Sequence, residues 1–176
     1  MTDFWRHKPL FSLSPDEWEA LCDGCGRCCL NKLEDVDSGE VYYTNIACHL
    51  LDITACRCRD YARRAEQVAE CLVLARDQPA AFDDLPSTCA YRLLLEGRPL
   101  PEWHPLISGD PESVHAAGMS VRDKVVSEAY IHPSQFPEHI ITWVMPGRRL
   151  SEGLLQEKEE AGAMIPPYSG ADPKKE

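Results

Sequence analysis

The chain reads as an α+β domain, mainly helical, with short strands and irregular loops around a cysteine-bound metal centre. Three observations predict this. Eight of the nine cysteines fall within residues 22–71, a crowding that marks a site rather than a whole-chain property. A sharp helix-start signal stands just before them, and one β-branched, aromatic run of strand length follows. At 176 residues a chain buries on the order of 70% of its unfolded surface, enough for one core without covalent staples. The domain is expected over residues 1–145, with 146–176 as a poorly ordered tail. No internal repeat and no second domain is evident.

The elements follow in order. Ser14-Pro15-Asp16-Glu17 combines a cap, a first-turn proline and the acidic residue of a capping box, so a helix starts there with Trp18 and Leu21 on one face. Gly24 and Gly26 are placed to end it and open a loop. Residues 35–39 read as a polar turn, 41–46 as a strand and 51–54 as its partner. Ala65, Val68, Leu72 and Ala75 stand at helical spacing, which predicts a helix or two over 60–76 with Cys71 on its apolar face. Residues 89–96 read as a short helix capped by Ser87 or Thr88 and closed by Gly97, with Cys89 in its first turn. Prolines 99, 101, 105 and 111 enforce an extended loop around Trp103-His104 that wraps the core. Weak alternation over 120–128 predicts a strand. Phe136, Ile140, Ile141 and Val144 predict a final amphipathic helix over 134–144.

Composition excludes several classes. No basic segment leads into an apolar run at the start, and no apolar stretch approaches about 18 residues, so a cytoplasmic protein without a membrane anchor is expected. A formal net charge of -11 repels phosphate backbones, and the basic pairs are scattered, so no nucleic-acid partner is expected. In a reducing compartment dense cysteine points to metal or redox chemistry, and an odd count fits disulfide pairing poorly. No triad order, phosphate loop or H-E-x-x-H helix is present.

The chemistry is concentrated in Cys22-Asp23-Gly24-Cys25-Gly26-Arg27-Cys28-Cys29. Two successive C-x2-C spacings let tight turns aim sulfurs at one centre, and the glycines free the backbone to point N–H groups at thiolates. In an extended backbone the adjacent side chains of Cys28 and Cys29 point to opposite sides, which is awkward for one tetrahedral ion; either the two serve two sites or one of them bridges. Cys48, Cys56, Cys58, Cys71 and Cys89 are the further candidate ligands. Nine thiols are enough for two four-ligand sites with one left over; the partition stays open at this level. An all-sulfur supply suits zinc, copper(I) or iron–sulfur clusters and not magnesium or calcium. The ferredoxin run C-x2-C-x2-C-x3-C-P is matched through its third cysteine only, because Lys32 and Leu33 stand where its last cysteine and proline would be. C-type haem is excluded, since Cys28 is followed by Cys29 and not by histidine. His49 and His104 each read either as a ligand or acid–base group, or as a packed histidine. Arg27, Arg57, Arg59, Arg63 and Arg64 either offset thiolate charge or form a solvated face.

These residues resemble the C-x2-C-x2-C-C form of the bacterial cysteine-cluster proteins. The likeness continues through Tyr43-Thr44-Asn45-Ile46-Ala47-Cys48, Cys56-Arg57-Cys58, Tyr61, Arg64 and Cys71. Leu85-Pro86-Ser87-Thr88-Cys89-Ala90-Tyr91-Arg92-Leu93 and Leu100-Pro101-Glu102-Trp103-His104-Pro105-Leu106 are similar to the YcgN-like subfamily. The resemblance spans about residues 1–145 and implies a zinc- or iron-chelating domain. A related cysteine cluster occurs in a flagellin lysine methylase with iron–sulfur chemistry. This chain has no glycine-rich adenosylmethionine loop, so the resemblance carries the cluster and not methyl transfer. The expectation is a metal-binding protein with all nine cysteines as candidate ligands, holding an iron–sulfur cluster or iron with a redox or cluster-dependent role. The alternatives are a non-enzymatic zinc-binding structural or interaction module, and a metal storage or transfer protein. A protein partner is left open.

Overall fold

The computed structural model describes residues 3–74, 79–148 and 150. Short helices and small sheets alternate along the chain, a mixed α+β arrangement. Among the described residues no helix is long and apolar enough to cross a membrane.

Helix α1 (Phe4–His7) and a 3-10 turn at Leu10–Ser12 precede α2 (Pro15–Ala20). The capping box forms as its residues dictate: Glu17 N donates to Ser14 Oγ at 3.2 Å, and Ser14 N donates back to Glu17 Oε2 at 2.9 Å. Trp18 and Leu21 are buried in a first core with Phe4, Leu10, Leu13, Phe82, Leu85 and the apolar face of α4 (Ala90–Leu95). α4 is shorter than expected at its start. Cys89, not Ser87 or Thr88, is its N-cap, and Gly97 at φ 71° closes it.

The strand at 41–46 is present as β2 (Val41–Ala47), but its antiparallel partner is β1 (Leu30–Glu34). The turn between them is the expected one: Asp35 Oδ1 accepts from the backbone N–H of Asp37 and Ser38 at 3.1 and 2.8 Å. The expected partner, 51–54, instead supplies β3 (Leu51–Asp52), which pairs with β4 (Arg57–Cys58) in a separate hairpin. β1 escapes the sequence reading because Leu30-Asn31-Lys32-Leu33-Glu34 lacks β-branched residues, and its pairing rather than its propensity makes it a strand.

Three expected elements differ. Over 60–76 only a 3-10 turn at Tyr61–Arg63 and α3 (Arg64–Gln67) form, and Val68 then turns extended; Ala75 lies outside the described residues. A helix this short needs a packed face to persist, yet Ala65 is exposed and Leu72 and Cys71 turn toward a cavity instead. The segment at 120–128 contributes only β5 (Val126–Ser127), parallel to β2. The helix expected over 134–144 is a 3-10 stretch at Pro133–His139 followed by extended chain, because Pro137 removes an N–H that an α-helix would need. Ile140 then bridges Thr44, and Ile141 N donates to Tyr43 O at 2.9 Å. The proline-rich loop carries two short helices, α5 (Pro105–Ser108) and α6 (Ser113–Ala116).

A second core of Leu30, Tyr43, Ala47, Leu51, Cys56, Val121 and Val144 packs under β2. Most of the segment expected as a tail lies outside the described residues. Its described part is bonded back to 83–86: Pro146 bridges Pro86, Gly147 N donates to Leu85 O at 3.2 Å, and Leu150 N donates to Asp83 Oδ1 at 2.6 Å.

Candidate metal centre

A cavity of about 590 Å³ opens between the two cores, lined by Trp18, Leu21, Leu85 and Tyr91 from the first and by Leu30 and Leu51 from the second. All nine cysteines line it.

Local structure explains how four segments deliver their thiols. Gly24 (φ 75°) and Gly26 (φ 73°) curve the loop after α2. The N–H groups of Gly24 and Arg27 then lie against the sulfurs of Cys22 and Cys25, the N–H to sulfur arrangement that the glycines were expected to allow. Asp23 Oδ1 accepts from Cys25 N at 2.9 Å and holds the turn. The β1–β2 hairpin returns Cys48 to the base of the loop, where its N–H donates to Cys29 O at 2.9 Å. The β3–β4 hairpin sets Cys58 opposite Leu51, and Arg59 N donates to Leu50 O at 2.8 Å. Cys89 stands at the start of α4, with the N–H groups of Tyr91 and Arg92 against its sulfur. Two long-range bonds fix it there: Tyr91 Oη donates to Trp18 O at 2.7 Å, and Arg27 Nη1 donates to Thr88 Oγ1 at 3.2 Å.

Cys22 and Cys28 keep open surface, but that surface faces the cavity. Burial, then the neighbouring Cys28 and Asp23, push Cys22 up to about 11. Burial likewise raises Cys25, Cys48, Cys71 and Cys89. Cys28 and Cys29 share a hydrogen bond in which the Cys29 thiol donates, which lowers Cys28 and raises Cys29. Metal-free, the site is therefore a set of mostly neutral thiols that a cation would have to deprotonate. Lys32 acts on Cys28, Arg57 on Cys22 and Arg64 on Cys71, all three lining the cavity. Arg59 and Arg63 do not line it; they pair with Asp52 at 3.8 Å and Asp60 at 2.7 Å.

The donor set fits a thiolate-bound metal or cluster: soft ligands only, backbone N–H groups directed at four of the sulfurs, and cations at the rim. Among the described residues one group of three ligating atoms lies within 4.8 Å of one another, and it is Cys48, His49 and Glu128. Glu128 was not legible in the sequence, being 79 residues from His49. Burial works against its charge, but the His49 N–H at 2.9 Å, Asn31 Nδ2 at 2.8 Å and the His49 ring outweigh it and hold the carboxyl low.

His104 does not line the cavity. It is 1% exposed, with Nε2–H donating to Leu21 O at 3.1 Å and Nδ1 accepting from Leu106 N at 3.1 Å. Burial lowers its pKa, and with both ring nitrogens engaged it is a packed histidine.

The family signature CxxCxxCC, described as "Putative zinc- or iron-chelating domain", matches residues 21–90. The chain is 57% identical over 141 residues to a UPF0260 protein of Cellvibrio japonicus, covering 80% of this chain and 96% of the relative. Identity to the UPF0260 protein of Marinobacter nauticus is 52% over 142 residues, 81% of this chain and 96% of the relative. For Azotobacter vinelandii it is 53% over 138 residues, 78% and 93%. No solved structure matches the chain.

Proposed function

The chain belongs to the UPF0260 family, and from that membership we propose that it chelates metal through its cysteine thiolates as an iron–sulfur cluster or iron, serving a redox or cluster-dependent role. The observation that carries the reading is the convergence of all nine cysteines, from sequence positions as far apart as 22 and 89, on one cavity. Free cysteines acting as small hydrophobes would be buried within the cores; Cys56 is, whereas Cys29 and Cys89 pack at the core margins and open on the cavity. Cysteines 22, 25, 28, 29, 48, 58, 71 and 89 would supply the ligands, with Cys56 as the remaining candidate. When bound, such a group supplies electron transfer or Lewis acidity. The protein's part is to hold the thiolates and screen their charge with Lys32, Arg57 and Arg64.

The preference for a cluster over mononuclear zinc rests on the run of three cysteines at period three and on the number of further thiols that line the same cavity. The second reading, a non-enzymatic zinc-stabilised module, is favoured by Cys48, His49 and Glu128, a mixed sulfur, nitrogen and oxygen set of the kind zinc accepts. Anaerobic purification, quantification of iron, zinc and sulfide, and a visible spectrum separate the two. Iron with sulfide and a broad absorbance near about 400 nm supports the first reading. Colourless protein with stoichiometric zinc overturns it in favour of the second.

A further inference from the structure

The nine thiols do not form one undivided set, and the way the backbone delivers them sorts them into groups. Cys22, Cys25 and Cys28 are strung at period three on the loop after α2, and Cys89 is clamped against that loop by the Tyr91–Trp18 and Arg27–Thr88 bonds. Cys29 and Cys48 are joined base to base by the backbone bond that closes the β1–β2 hairpin. Cys58 is carried to the same end of the cavity by the pairing of β4 with Leu51 and by Arg59 N on Leu50 O, two residues from Cys48. Cys71 follows α3 and faces them.

The electrostatic neighbours sort the same way. Cys89 is acted on by Cys28, and Cys25 by Cys28 and Cys22. Cys29 is acted on by Cys48 and Cys71, and Cys48 by Cys71 and Cys58. Cys28 is felt on both sides, by Cys71 and Cys29 as well as by Cys22 and Cys25, which places it at the seam. Cys56 stands apart. Its backbone is in the left-handed region at φ 52°, it is 3% exposed within the second core, its thiol donates to Ile53 O at 3.5 Å, and the charge it faces is Arg122.

We infer that the cavity holds two four-thiolate centres, Cys22/Cys25/Cys28/Cys89 and Cys29/Cys48/Cys58/Cys71, that meet at the Cys28–Cys29 peptide and leave Cys56 outside both. The inference rests on the chelating function proposed above and deepens it. Cys28 and Cys29 stand in a 3-10 turn (Arg27–Cys29) and their thiols share a hydrogen bond, so the two sets touch at this step; what divides them is the onward placement of Cys22, Cys25 and Cys89 on one side and of Cys48, Cys58 and Cys71 on the other. That adjacency puts the two centres in near contact, so each is loaded in the electric field of the other.

Cobalt(II) tests this independently of the native metal, because tetrahedral thiolate coordination produces sulfur-to-metal charge-transfer and visible d–d bands. Metal-free, reduced full-length protein is titrated anaerobically with cobalt(II) while those bands are followed. The expected endpoint is two equivalents for the wild type. Cys89→Ser and Cys71→Ser are each expected to keep one intact four-thiolate site and about half of the tetrahedral signal. The double variant loses it, and Cys56→Ser keeps all of it. Circular dichroism of each metal-free variant establishes that it folds, and the wild-type endpoint stands whether or not a variant does. A wild-type endpoint of one equivalent, complete loss from either single variant with the fold intact, or loss from folded Cys56→Ser overturns the partition while chelation stands. Absence of any thiolate band from the wild type overturns chelation itself.

Discussion

Two glycines of the same loop, both in the left-handed region, should respond very differently to the same substitution. Alanine at Gly24 (φ 75°) would place its Cβ 3.0 Å from the Cζ and Nη2 of Arg57, the far end of an exposed, flexible side chain that can move aside. Alanine at Gly26 (φ 73°) would place its Cβ 2.8 Å from Cγ2 of Val121, which is 0% exposed, with Cys56 Cβ and Leu51 Cδ2 at 3.7 Å behind it. Both variants incur roughly 1–2 kcal/mol for an L-residue in that conformation. Only Gly26→Ala adds overpacking of about 1–3 kcal/mol in a closed core. The expected losses are therefore about 1–2 kcal/mol for Gly24→Ala and about 2–5 kcal/mol for Gly26→Ala. At roughly 2–4 °C per kcal/mol for a chain of this size, these are melting-point drops of about 2–8 °C and 4–20 °C. Thermal denaturation of reduced, metal-free protein, followed by circular dichroism, reads them. Val121→Ala in the Gly26→Ala background should make the double variant less destabilised than the sum of its parts by about 1 kcal/mol or more. Equal losses at the two glycines, or strict additivity with Val121→Ala, would refute the reasoning.

Gly147→Ala should be more damaging still, because the new Cβ would stand 1.9 Å from Cζ of Arg92. That guanidinium is fully buried between Glu96 at 2.7 Å and Phe82 O at 2.8 Å, so a loss on the order of 3–5 kcal/mol in a denaturant melt is expected. His104→Ala should cost about 2–4 kcal/mol, from the lost Leu21 and Leu106 bonds, with the amount of bound metal unchanged; a fall in metal per folded chain would make His104 a ligand after all. The pH response should reverse sign with loading. Without metal, the folded state holds thiol protons that the unfolded chain releases near its ordinary value of 9.0, Cys22 holding its proton up to about 11. Stability is then full below pH ~8.5 and declines as pH rises through about 11. With metal the thiolates are already deprotonated, and loss comes on acidification as protons displace the ion. Melting points across pH 5 to 11 with and without cobalt(II) check both slopes.

The parts of the fold written in local chemistry were legible in the sequence. The capping box at Ser14 and Glu17, the turn at 35–39, the strand at 41–46 and the glycine-terminated helix before Gly97 each depend on neighbours in sequence. What escaped depends on partners far along the chain. β1 is a strand because β2 lies beside it, and 51–54 turns away from β2 to pair with β4. The stripe Ala65, Val68, Leu72 has helical spacing, but Ala65 is exposed while Val68 and Leu72 line the cavity and Leu72 packs on the first core, so no single packed face sustains a longer helix. In the site, spacing and glycines marked the C-x2-C-x2-C-C run as a candidate ligand set, and the fold brings all its thiols to the cavity. The place of Glu128 could not be read, because it is set by the parallel pairing of β5 with the end of β2, a partner far along the chain. Cys71 and Cys89, equally readable as small hydrophobes, are assigned to the cavity only by the fold.

Arg27 joins the electrostatics to the architecture. It lies between Cys25 and Cys28, is 4% exposed, and meets only neutral or weak partners: Thr88 Oγ1, Met119 Sδ at 3.6 Å, and the ring of Trp143 at 5.9 Å. Its Nε has no hydrogen-bond partner, and among the described residues no carboxylate pairs with it. A buried cation without a counter-charge is costly in isolation. It costs far less beside a centre whose thiolates carry more negative charge than the metal neutralises, and the same side chain ties the cysteine loop to the residue before Cys89. In the metal-free protein the loop thus holds a poorly compensated arginine. Loading would remove that penalty, so metal binding and the folding of this loop are best regarded as one equilibrium.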